Sequence, residues 1–382
     1  MQTAATTHLA GHGWQSPLPA ALDSPQTLVL AFGASQLDAD APALQDLAAA
    51  FPRSVLLGCS TAGEIAGDAV NDDSLSVAVT RFDHTRLVLA VADVAQASQS
   101  GDAGARLAQQ LRAGGSDLRA VFMLSDGLAV NGTPLVQALA GGLGDGVAIS
   151  GGLAGDGSDF RHTWVMAGGT LRPGCVAAVG LYGDRLQVGS GCEGGWMDFG
   201  PERRITRSAG NVLYELDGKP ALDLYKTYLG ELAQGLPGSA LRFPLSIRRP
   251  DSDAPPLVRT ILAIDEAGRS MTFAGDMPEG HAARLMRTTN DSLIDSAARA
   301  SADALRSATG RGDALVVSVS CVGRRLVLGE RTEEEVESVL EAAPAGTRHV
   351  GFYSYGEIAP GTAGAASDLH NQTMTVTVFS ER

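Results

Sequence analysis

The most informative segment of the chain is Gly58-Cys-Ser-Thr-Ala-Gly-Glu-Ile-Ala66, because it returns near the other end as Gly351-Phe-Tyr-Ser-Tyr-Gly-Glu-Ile-Ala359. Both blocks fit the pattern Gly-x-x-[Ser/Thr]-x-Gly-Glu-Ile-Ala. A proline precedes each block by six or seven residues, and an alternating strand that ends in Phe follows each, over residues 76–82 and 373–379. A shared motif in matching contexts indicates an internal duplication.

The chain around these blocks repeats one order of elements. Apolar runs predict strands at 28–32 and 54–57 with a helix over 41–51 between them. The order recurs at 120–124, 134–143 and 147–149, running into Gly151–Gly157, and again at 314–319 and 332–343 before the second block. We therefore expect an α/β fold of duplicated β-α-β units, forming mixed sheets covered by helices.

Other segments give the expected boundaries. Residues 1–25 are small and polar and are expected to form a flexible N-terminal arm. The amphipathic stretch 290–309 predicts a helix that is capped by Thr289 or Asn290 and stopped by Gly310. Residues 248–256 have the composition of a surface loop or linker. We expect two halves, an N-terminal domain over 26–208 and a C-terminal domain over 209–382.

Composition excludes several classes of function. The 382 residues include 29 basic and 43 acidic ones, a net charge of −14, which disfavours nucleic acid and anionic membrane surfaces as partners. No apolar run is long enough to span a bilayer, and residues 1–16 lack the features of a signal peptide. The four cysteines lie far apart and are expected to be free thiols in the cytoplasm.

Ligands of parallel sheets usually bind beyond the carboxyl ends of the strands, where the glycine-rich blocks fall. Glu64 and Glu357 follow glycines there and could receive an ammonium or hydroxyl group. Alternatively, each caps a turn or pairs with an arginine. Arg324 ends a predicted strand and could hold a ligand carboxylate.

The remaining candidate contacts lie in the same blocks or in equivalent turns: Cys59, Ser60, Thr61, Asp126, Asn131, Asp156, Cys321, Tyr353, Tyr355, His370 and Asn371. Asp126, Asn131 and Asp156 lie in the middle unit and could instead satisfy turns or helix caps. His370 could bind a ligand, act as a base, coordinate a metal or haem iron, or be a hydrogen-bonded structural residue.

The usual catalytic signatures do not occur. Gly58–Gly63 has one residue too many for a nucleophile elbow, and the chain has no P-loop and no His-Glu-x-x-His. We therefore predict that the protein is not an enzyme. One catalytic alternative stays open, in which Cys321 or Cys59 is a nucleophile assisted by His370.

The blocks also resemble a known family. Gly58–Ile65, Gly151–Gly157, Ile205–Asn211, Leu216–Tyr225, Ser320–Arg324, Gly351–Ile358 and Leu369–Thr375 occur in the order found in the FIST proteins of bacterial signal transduction. The resemblance covers residue 26 to the C-terminus. It implies a sensory module that binds small ligands, with amino acids the usual proposal, and no family catalytic residue.

The resemblance also implies partners and one cofactor alternative. Relatives work with histidine kinases, methyl-accepting receptors or cyclic-di-nucleotide enzymes. Because the match takes up nearly all of this chain, we expect the signal to pass to a separate protein. We expect no cofactor and no metal, unless the chain is a haem-based sensor of nitric oxide. In that case His370 is the first candidate for the axial ligand and His281 the second.

Overall fold

The computed structural model describes residues 1–251, 256–308, 313–344, 346–360 and 366–382. Its strands are, in chain order, β1 (Gln2–Leu9), β2 (Gly13–Trp14), β3 (Thr27–Gly33), β4 (Val55–Ser60), β5 (Glu64–Ala66), β6 (Ala69–Asn71), β7 (Ser74–Arg81), β8 (Arg86–Asp93), β9 (Leu118–Ser125), β10 (Ala148–Leu153), β11 (Val165–Ala167), β12 (Thr170–Arg172), β13 (Cys175–Tyr182), β14 (Leu186–Glu193), β15 (Met197–Ala209), β16 (Val212–Leu216), β17 (Lys219–Pro220), β18 (Leu245–Arg248), β19 (Leu257–Arg259), β20 (Ile261–Asp265), β21 (Ser270–Phe273), β22 (Ala282–Arg287), β23 (Leu315–Cys321), β24 (Arg348–Ser354), β25 (Gly356–Ala359), β26 (Asp368–His370) and β27 (Met374–Glu381). The α-helices are α1 (Pro42–Ala50), α2 (Ser100–Ala113), α3 (Gly132–Leu143), α4 (Ala221–Leu229), α5 (Asn290–Ser307), α6 (Val322–Leu328) and α7 (Thr332–Glu341).

The predicted β-α-β unit is built three times, and each copy forms the centre of its own sheet. Strands β3 and β4 are parallel, as are β9 and β10, and β23 and β24. An antiparallel strand then joins the first strand of each pair, namely β7, β13 and β27. The α/β class with mixed sheets is therefore confirmed. The β-α-β order occurs three times, as the sequence predicts, although only the first and third copies share the matching block.

The three sheets are interleaved, because strands cross from each unit into the sheet of another. The strand that follows each parallel pair crosses to a neighbouring sheet: β5 pairs with β24, β11 with β4 and β25 with β10. The strand after each antiparallel return goes to the other neighbour: β8 pairs with β13 and β14 with β27. Each of the two kinds of crossing runs in a constant direction around the three units. We call the three units together the ring.

The N-terminal strand completes this exchange. Residues 2–9 form β1, which pairs antiparallel with β7 along its whole length, in the place that the third unit's last strand would take. Glu381, at the end of β27, accepts hydrogen bonds from the backbone N–H groups of Asp83, His84 and Thr85. The expectation of a flexible arm over 1–25 is therefore wrong for the part that forms this strand. Strand β1 alternates small and polar residues, a pattern that suits a strand packed among buried neighbours.

The core lies between the three sheets, and the helices cover their outer faces. Apolar side chains of all three units meet there, and the rings of Phe32 and Phe352 stack with centroids 4.7 Å apart. Helices α2 and α3 cover the second sheet, and α5 and α7 pack on the third. Helix α5 begins as predicted, since the Thr289 side chain accepts a hydrogen bond from the backbone N–H of Ser292; Gly310 lies outside the described residues.

A second body is inserted between β14 and α5. Its strands follow the order β19-β18-β22-β15-β16-β21-β20, with β17 beside β16, and they curl around α4 and an apolar core of their own. We call residues 197–287 the half-barrel. It contacts the ring through the Asn131 side-chain amide, which donates to Asp276 over 2.8 Å, and through Arg259, which donates to the carbonyl of Leu369 over 3.2 Å.

The expected boundary between two halves, at residues 208 and 209, falls inside β15. Part of the expected linker over 248–256 belongs to β18, and residues 252–255 of it lie outside the described residues. Since the N-terminal and C-terminal halves exchange β5, β14 and β25, they form one interleaved assembly.

Candidate functional site

The glycines that open the three blocks serve the packing of neighbouring strands. A side chain at each of these positions would collide with a backbone carbonyl oxygen of the adjacent parallel strand, at about 2 Å. The three glycine and carbonyl pairs are Gly58 with Ala31, Gly151 with Met123, and Gly351 with Ser318. The close approach that these glycines permit is therefore between two strands of one sheet.

Glu64 is buried at the first residue of β5 and accepts hydrogen bonds on both carboxyl oxygens. The Thr61 hydroxyl donates to one oxygen, and the backbone N–H and hydroxyl of Ser74 donate to the other over 3.0 and 2.8 Å. Thr61 in turn accepts the Gly63 N–H over 3.1 Å. The carboxyl group thus ties β5, which has crossed to the third sheet, to the start of β7 in the first.

Glu357 repeats this arrangement in the third unit. The Ser354 hydroxyl donates to one oxygen over 2.6 Å, and the backbone N–H and hydroxyl of Thr373 donate to the other over 3.1 and 2.9 Å. The middle unit has Val165 at the corresponding pairing position of β11. Both glutamates thus cap turns, which is the alternative to ligand binding, and they lie on different sheets.

Burial raises the pKa of both carboxyl groups to about 7, although the hydrogen bonds oppose this shift. Asp72 adds a small repulsion at Glu64, and Arg324 attracts Glu357 weakly. Both carboxyl groups therefore keep their proton to a higher pH than an exposed glutamate does.

The middle unit uses aspartates for the same kind of task. Asp126 accepts hydrogen bonds from the backbone N–H groups of Leu128, Ala129 and Gly174 and from the Thr163 hydroxyl, at 2.7–3.1 Å. Its two oxygens thus hold the loop after β9 against the start of β13.

Asp156 and Asn131 also satisfy local backbone groups. Asp156 accepts three N–H groups of the loop 160–162 and the hydroxyl of Tyr355, whose ring stacks on Phe160 at 4.7 Å. The Asn131 side chain accepts the Thr133 N–H and so caps α3. These contacts are the turn and cap roles that the sequence left open.

Cys59, Ser60 and Cys321 lie in the interior. Ser60 is buried and its hydroxyl accepts the Trp164 N–H over 3.1 Å. Burial raises the thiol pKa of Cys59 and of Cys321 well above the ordinary value, so both stay protonated near neutral pH. The catalytic alternative with a cysteine nucleophile therefore lacks the thiolate that it requires.

Arg324 is fully buried in α6 and is committed to protein groups. Its guanidinium pairs with Glu335 of α7, with N–O distances of 2.6–2.7 Å, and also donates to the carbonyls of Gly194 and Leu293. Glu335 accepts the hydroxyl of Tyr353 over 2.8 Å as well. The carboxylate that Arg324 holds thus belongs to the chain itself.

His370 and Asn371 lie where the ring meets the half-barrel. Within the described residues, His370 Nε2 and both polar atoms of the Asn371 amide are buried without a hydrogen-bond partner. Burial lowers the pKa of His370, so that its ring is neutral near pH 7. These two side chains have unused hydrogen-bonding capacity, in contrast to Glu64, Glu357 and Arg324.

An open pocket of about 460 Å³ lies beside the strand ends. Its walls come from the turn after β4, the loop after β10, helix α6 and the turn that leads to α7, including Ala62, Gly157, Val322, Arg325, Glu330 and Glu333. The pocket therefore combines one guanidinium with two exposed carboxylates, and its volume suits a small metabolite.

Arg325 is the distinctive group of this pocket. It grips the Asp72 carboxylate with two hydrogen bonds of 2.7–2.8 Å and donates to the Ala62 carbonyl over 2.7 Å. The Asp72 side chain is 67% exposed, and the arginine lowers its pKa. Asp72 thus shows how a carboxylate binds to this fork, from a position that water already reaches.

Sequence reasoning did not find Arg325, Glu335 or the pocket. Arg325 follows Arg324 directly, and only the helical path of α6 shows which arginine turns inward. Glu335 lies in the run Glu333–Glu335, a pattern typical of a solvated helix start. The burial of one glutamate among three carries no signal in the residues themselves.

The fold and these contacts define an α/β protein of interleaved β-α-β units, whose strand ends are closed by internal carboxyl groups next to a polar pocket. The chain belongs to the FIST family: the model of the FIST N domain matches residues 27–219, and that of the FIST C domain matches residues 221–360. FIST domains are sensory domains of signalling proteins and are generally not catalytic.

The chain is also similar to an uncharacterized protein of Methanocaldococcus jannaschii. The two are 28% identical over 207 residues, which make up 50% of this chain and 38% of the relative. The chain therefore matches well under half of that protein's length. Among the helices described, none combines the length and apolar character that crossing a bilayer requires.

Proposed function

We propose that this protein is a non-catalytic sensory module of the cytoplasm, which binds an amino acid or a similar small zwitterion in the Arg325 pocket and signals through a separate protein. The observation that carries the proposal is the pocket's charge pattern. Arg325 already holds a carboxylate through both ends of its guanidinium, and Glu330 and Glu333 lie in the same walls, where they can receive an ammonium group.

Binding in this pocket has a defined competitor. A ligand carboxylate would replace Asp72 on Arg325, and Asp72 would return to water at small cost because it is largely exposed already. Exchange of the two carboxylates would release the β6–β7 connection from α6. A signalling partner could then read the new position of that connection. Membership of a sensory family supports this interpretation.

A thermal-shift screen against the twenty amino acids and related metabolites tests the proposal. A ligand at about 100 times its dissociation constant adds roughly 2.7 kcal/mol, which raises Tm by about 2 °C or more for a chain of this size. We expect the Arg325→Gln variant to lose the ligand-induced shift. The matched control is Arg331→Gln, since Arg331 bonds to Glu334 and Asp291 outside the pocket.

The outcomes separate the site from the ligand class. A shift that persists in Arg325→Gln would place the ligand elsewhere, and a shift lost in both variants would point to a general loss of stability. A screen without any shift would contradict the ligand class.

A haem-based gas sensor is the second candidate function. The free, neutral Nε2 of His370 is what an axial ligand requires, and the Ala359 backbone hydrogen-bonds to this side chain. Haem bound there would supply an iron centre for nitric oxide. Hemin titration followed in the visible range tests this candidate: His370→Ala should lose the Soret shift that His281→Ala retains. A wild-type protein without a Soret shift would overturn it.

A further inference from the structure

The half-barrel carries most of the exposed large apolar side chains of the described residues. Five such side chains are more than about a third exposed, and four of them belong to it: Met197, Phe199, Tyr228 and Leu232, from 37% to 53% exposed. Leu128, at 39%, is the remaining one and lies on the ring. We call the four residues of the half-barrel the apolar patch. Clustering of this kind is typical of a surface that another protein covers.

A narrow slot opens within the patch. The pairing of β15 with β22 shifts register between Phe199 and Arg203, so that the intervening residues leave the wall of the half-barrel. Phe199 and Tyr228 line the mouth of the slot, and Leu216, Leu224 and Leu285 lie among its walls. The centre of a water-sized sphere has about 20 Å³ in which to move there, which is room for about one water molecule. The slot is therefore too small for a metabolite and admits only the tip of an apolar side chain.

A leucine of the half-barrel projects into solvent close to Tyr228 in the chain. Leu232 is 53% exposed and follows Tyr228 by four residues, just after α4. A protruding leucine and a leucine-lined slot on the same body are the two complementary features that a twofold interface between identical chains uses.

Charge also favours a second copy of this chain as the occupant. Residues 197–287 contain twelve basic and twelve acidic residues, so the whole net charge of −14 lies on the remaining 17 basic and 31 acidic residues. Two copies therefore approach with least repulsion through their half-barrels. The patch is bordered by balanced ion pairs, Arg203 with Asp217 and Arg284 with Asp198.

We propose that the protein forms a twofold homodimer through the half-barrel, in which Leu232 of each subunit enters the slot between Phe199 and Tyr228 of the other. The proposal is independent of the ligand, so its failure and that of the proposed function can be told apart.

Sedimentation velocity of the full chain over a wide range of concentration tests the dimer. We expect twice the chain mass for the wild type, and a rise in the dimer dissociation constant of at least about 30-fold in Leu232→Asp and in Phe199→Asp, the loss of roughly 2 kcal/mol that defines a hot spot. Leu128→Asp is the matched control, with a similarly exposed side chain outside the patch. It should remain dimeric.

Circular dichroism of each variant keeps the result decisive, since all three positions are exposed and the fold should be unchanged. A wild type that is monomeric at every concentration overturns the proposal, and the patch would then be left to a different protein. A dimer that survives both patch substitutions, or that Leu128→Asp dissociates equally, overturns it as well.

Discussion

Glu64 and Glu357 are the residues that the sequence singles out most clearly, and both carboxyl groups accept hydrogen bonds from the chain itself. Each holds a turn with three hydrogen bonds from hydroxyl and backbone groups. The motif was visible in the sequence because the glycines and the glutamate recur together. Their partners Ser74 and Thr373 were not, since a lone hydroxyl at a strand start carries no specific pattern.

The raised pKa of Glu64 predicts a pH-dependent stability. The folded state keeps this proton up to about pH 7, whereas the unfolded chain loses it near the ordinary value of 4.5. The stabilising contribution is therefore complete below about pH 4.5 and is lost as pH rises through 7. Replacing Glu64 by Gln removes this dependence. Between pH 4.5 and pH 8 the free energy of unfolding of Glu64→Gln should gain on that of wild type by on the order of 3 kcal/mol.

Urea denaturation at a series of pH values measures this difference. Glu357→Gln should show the same pH dependence as Glu64→Gln. The charged or titratable neighbours of Glu357 are Arg324, Cys321 and Cys192. Those of Glu64 are Asp72 and Arg325. The matched control is Glu334→Gln, because the exposed pair with Arg331 lowers the pKa of Glu334 and gives the opposite sign. Parallel pH profiles of Glu64→Gln and wild type would contradict the prediction.

At the scale of elements, α6 is joined to its surroundings by one buried ion pair. Arg324 of α6 and Glu335 of α7 are both fully buried, and the arginine also reaches the carbonyls of Gly194, at the entrance to the half-barrel, and of Leu293 in α5. The next residue of α6, Arg325, lines the pocket. Helix α6 therefore touches the pocket, the third sheet and the start of the half-barrel at once.

Glu335→Ala should destabilise the protein by roughly 3–5 kcal/mol, because it leaves the Arg324 charge buried without a partner. It also removes the acceptor of Ser320 and Tyr353. Urea denaturation measures the change. Glu334→Ala, one residue earlier on the same helix, removes an exposed pair with Arg331 and should leave the stability nearly unchanged. Equal effects of the two substitutions would show that the buried pair has no special role.

Elements with a strong periodic pattern were predicted correctly from the sequence. Short strands whose pairing partners lie far away in the chain were not predicted. The helices over 42–50, 132–143 and 290–307 and the central strands follow from local patterns. The glycine-rich blocks, expected as strand ends, contain β5 and β25 themselves. Those short strands have no periodic pattern of their own, and their partners β24 and β10 lie some 200 to 300 residues away.

At the scale of the whole molecule, the threefold exchange predicts that the chain can be opened at another point. The ends of the chain meet beside Glu381, where β27 and β1 occupy the positions that β13 and β14 have in the second unit. A circular permutant whose original ends are linked and whose new ends lie between Gly183 and Asp184 should fold to the same sheets. Its circular dichroism spectrum and a cooperative thermal transition provide the measurement.

The control is a permutant opened between Ala62 and Gly63, which are buried and hydrogen-bonded to the backbone of Tyr353. New charged ends at that site should prevent folding. Equal folding of the two permutants would contradict the prediction, because the equivalence of the three units would then not be what permits the opening.

The exchange of strands between units also has a consequence for how the protein is made. The second sheet contains β25 of the third unit, and the first sheet contains β11 of the second unit. Strand β5 of the first unit pairs with β24, which is synthesised much later. A nascent chain that has left the ribosome up to residue 193 therefore still lacks the strands that cover β5 and β14. Their edges stay open until β24 and β27, within residues 348–381, emerge. Synthesis of this protein thus exposes unpaired strands for most of its duration, and chaperones that hold such edges should matter more for its yield than for proteins whose domains close one after another.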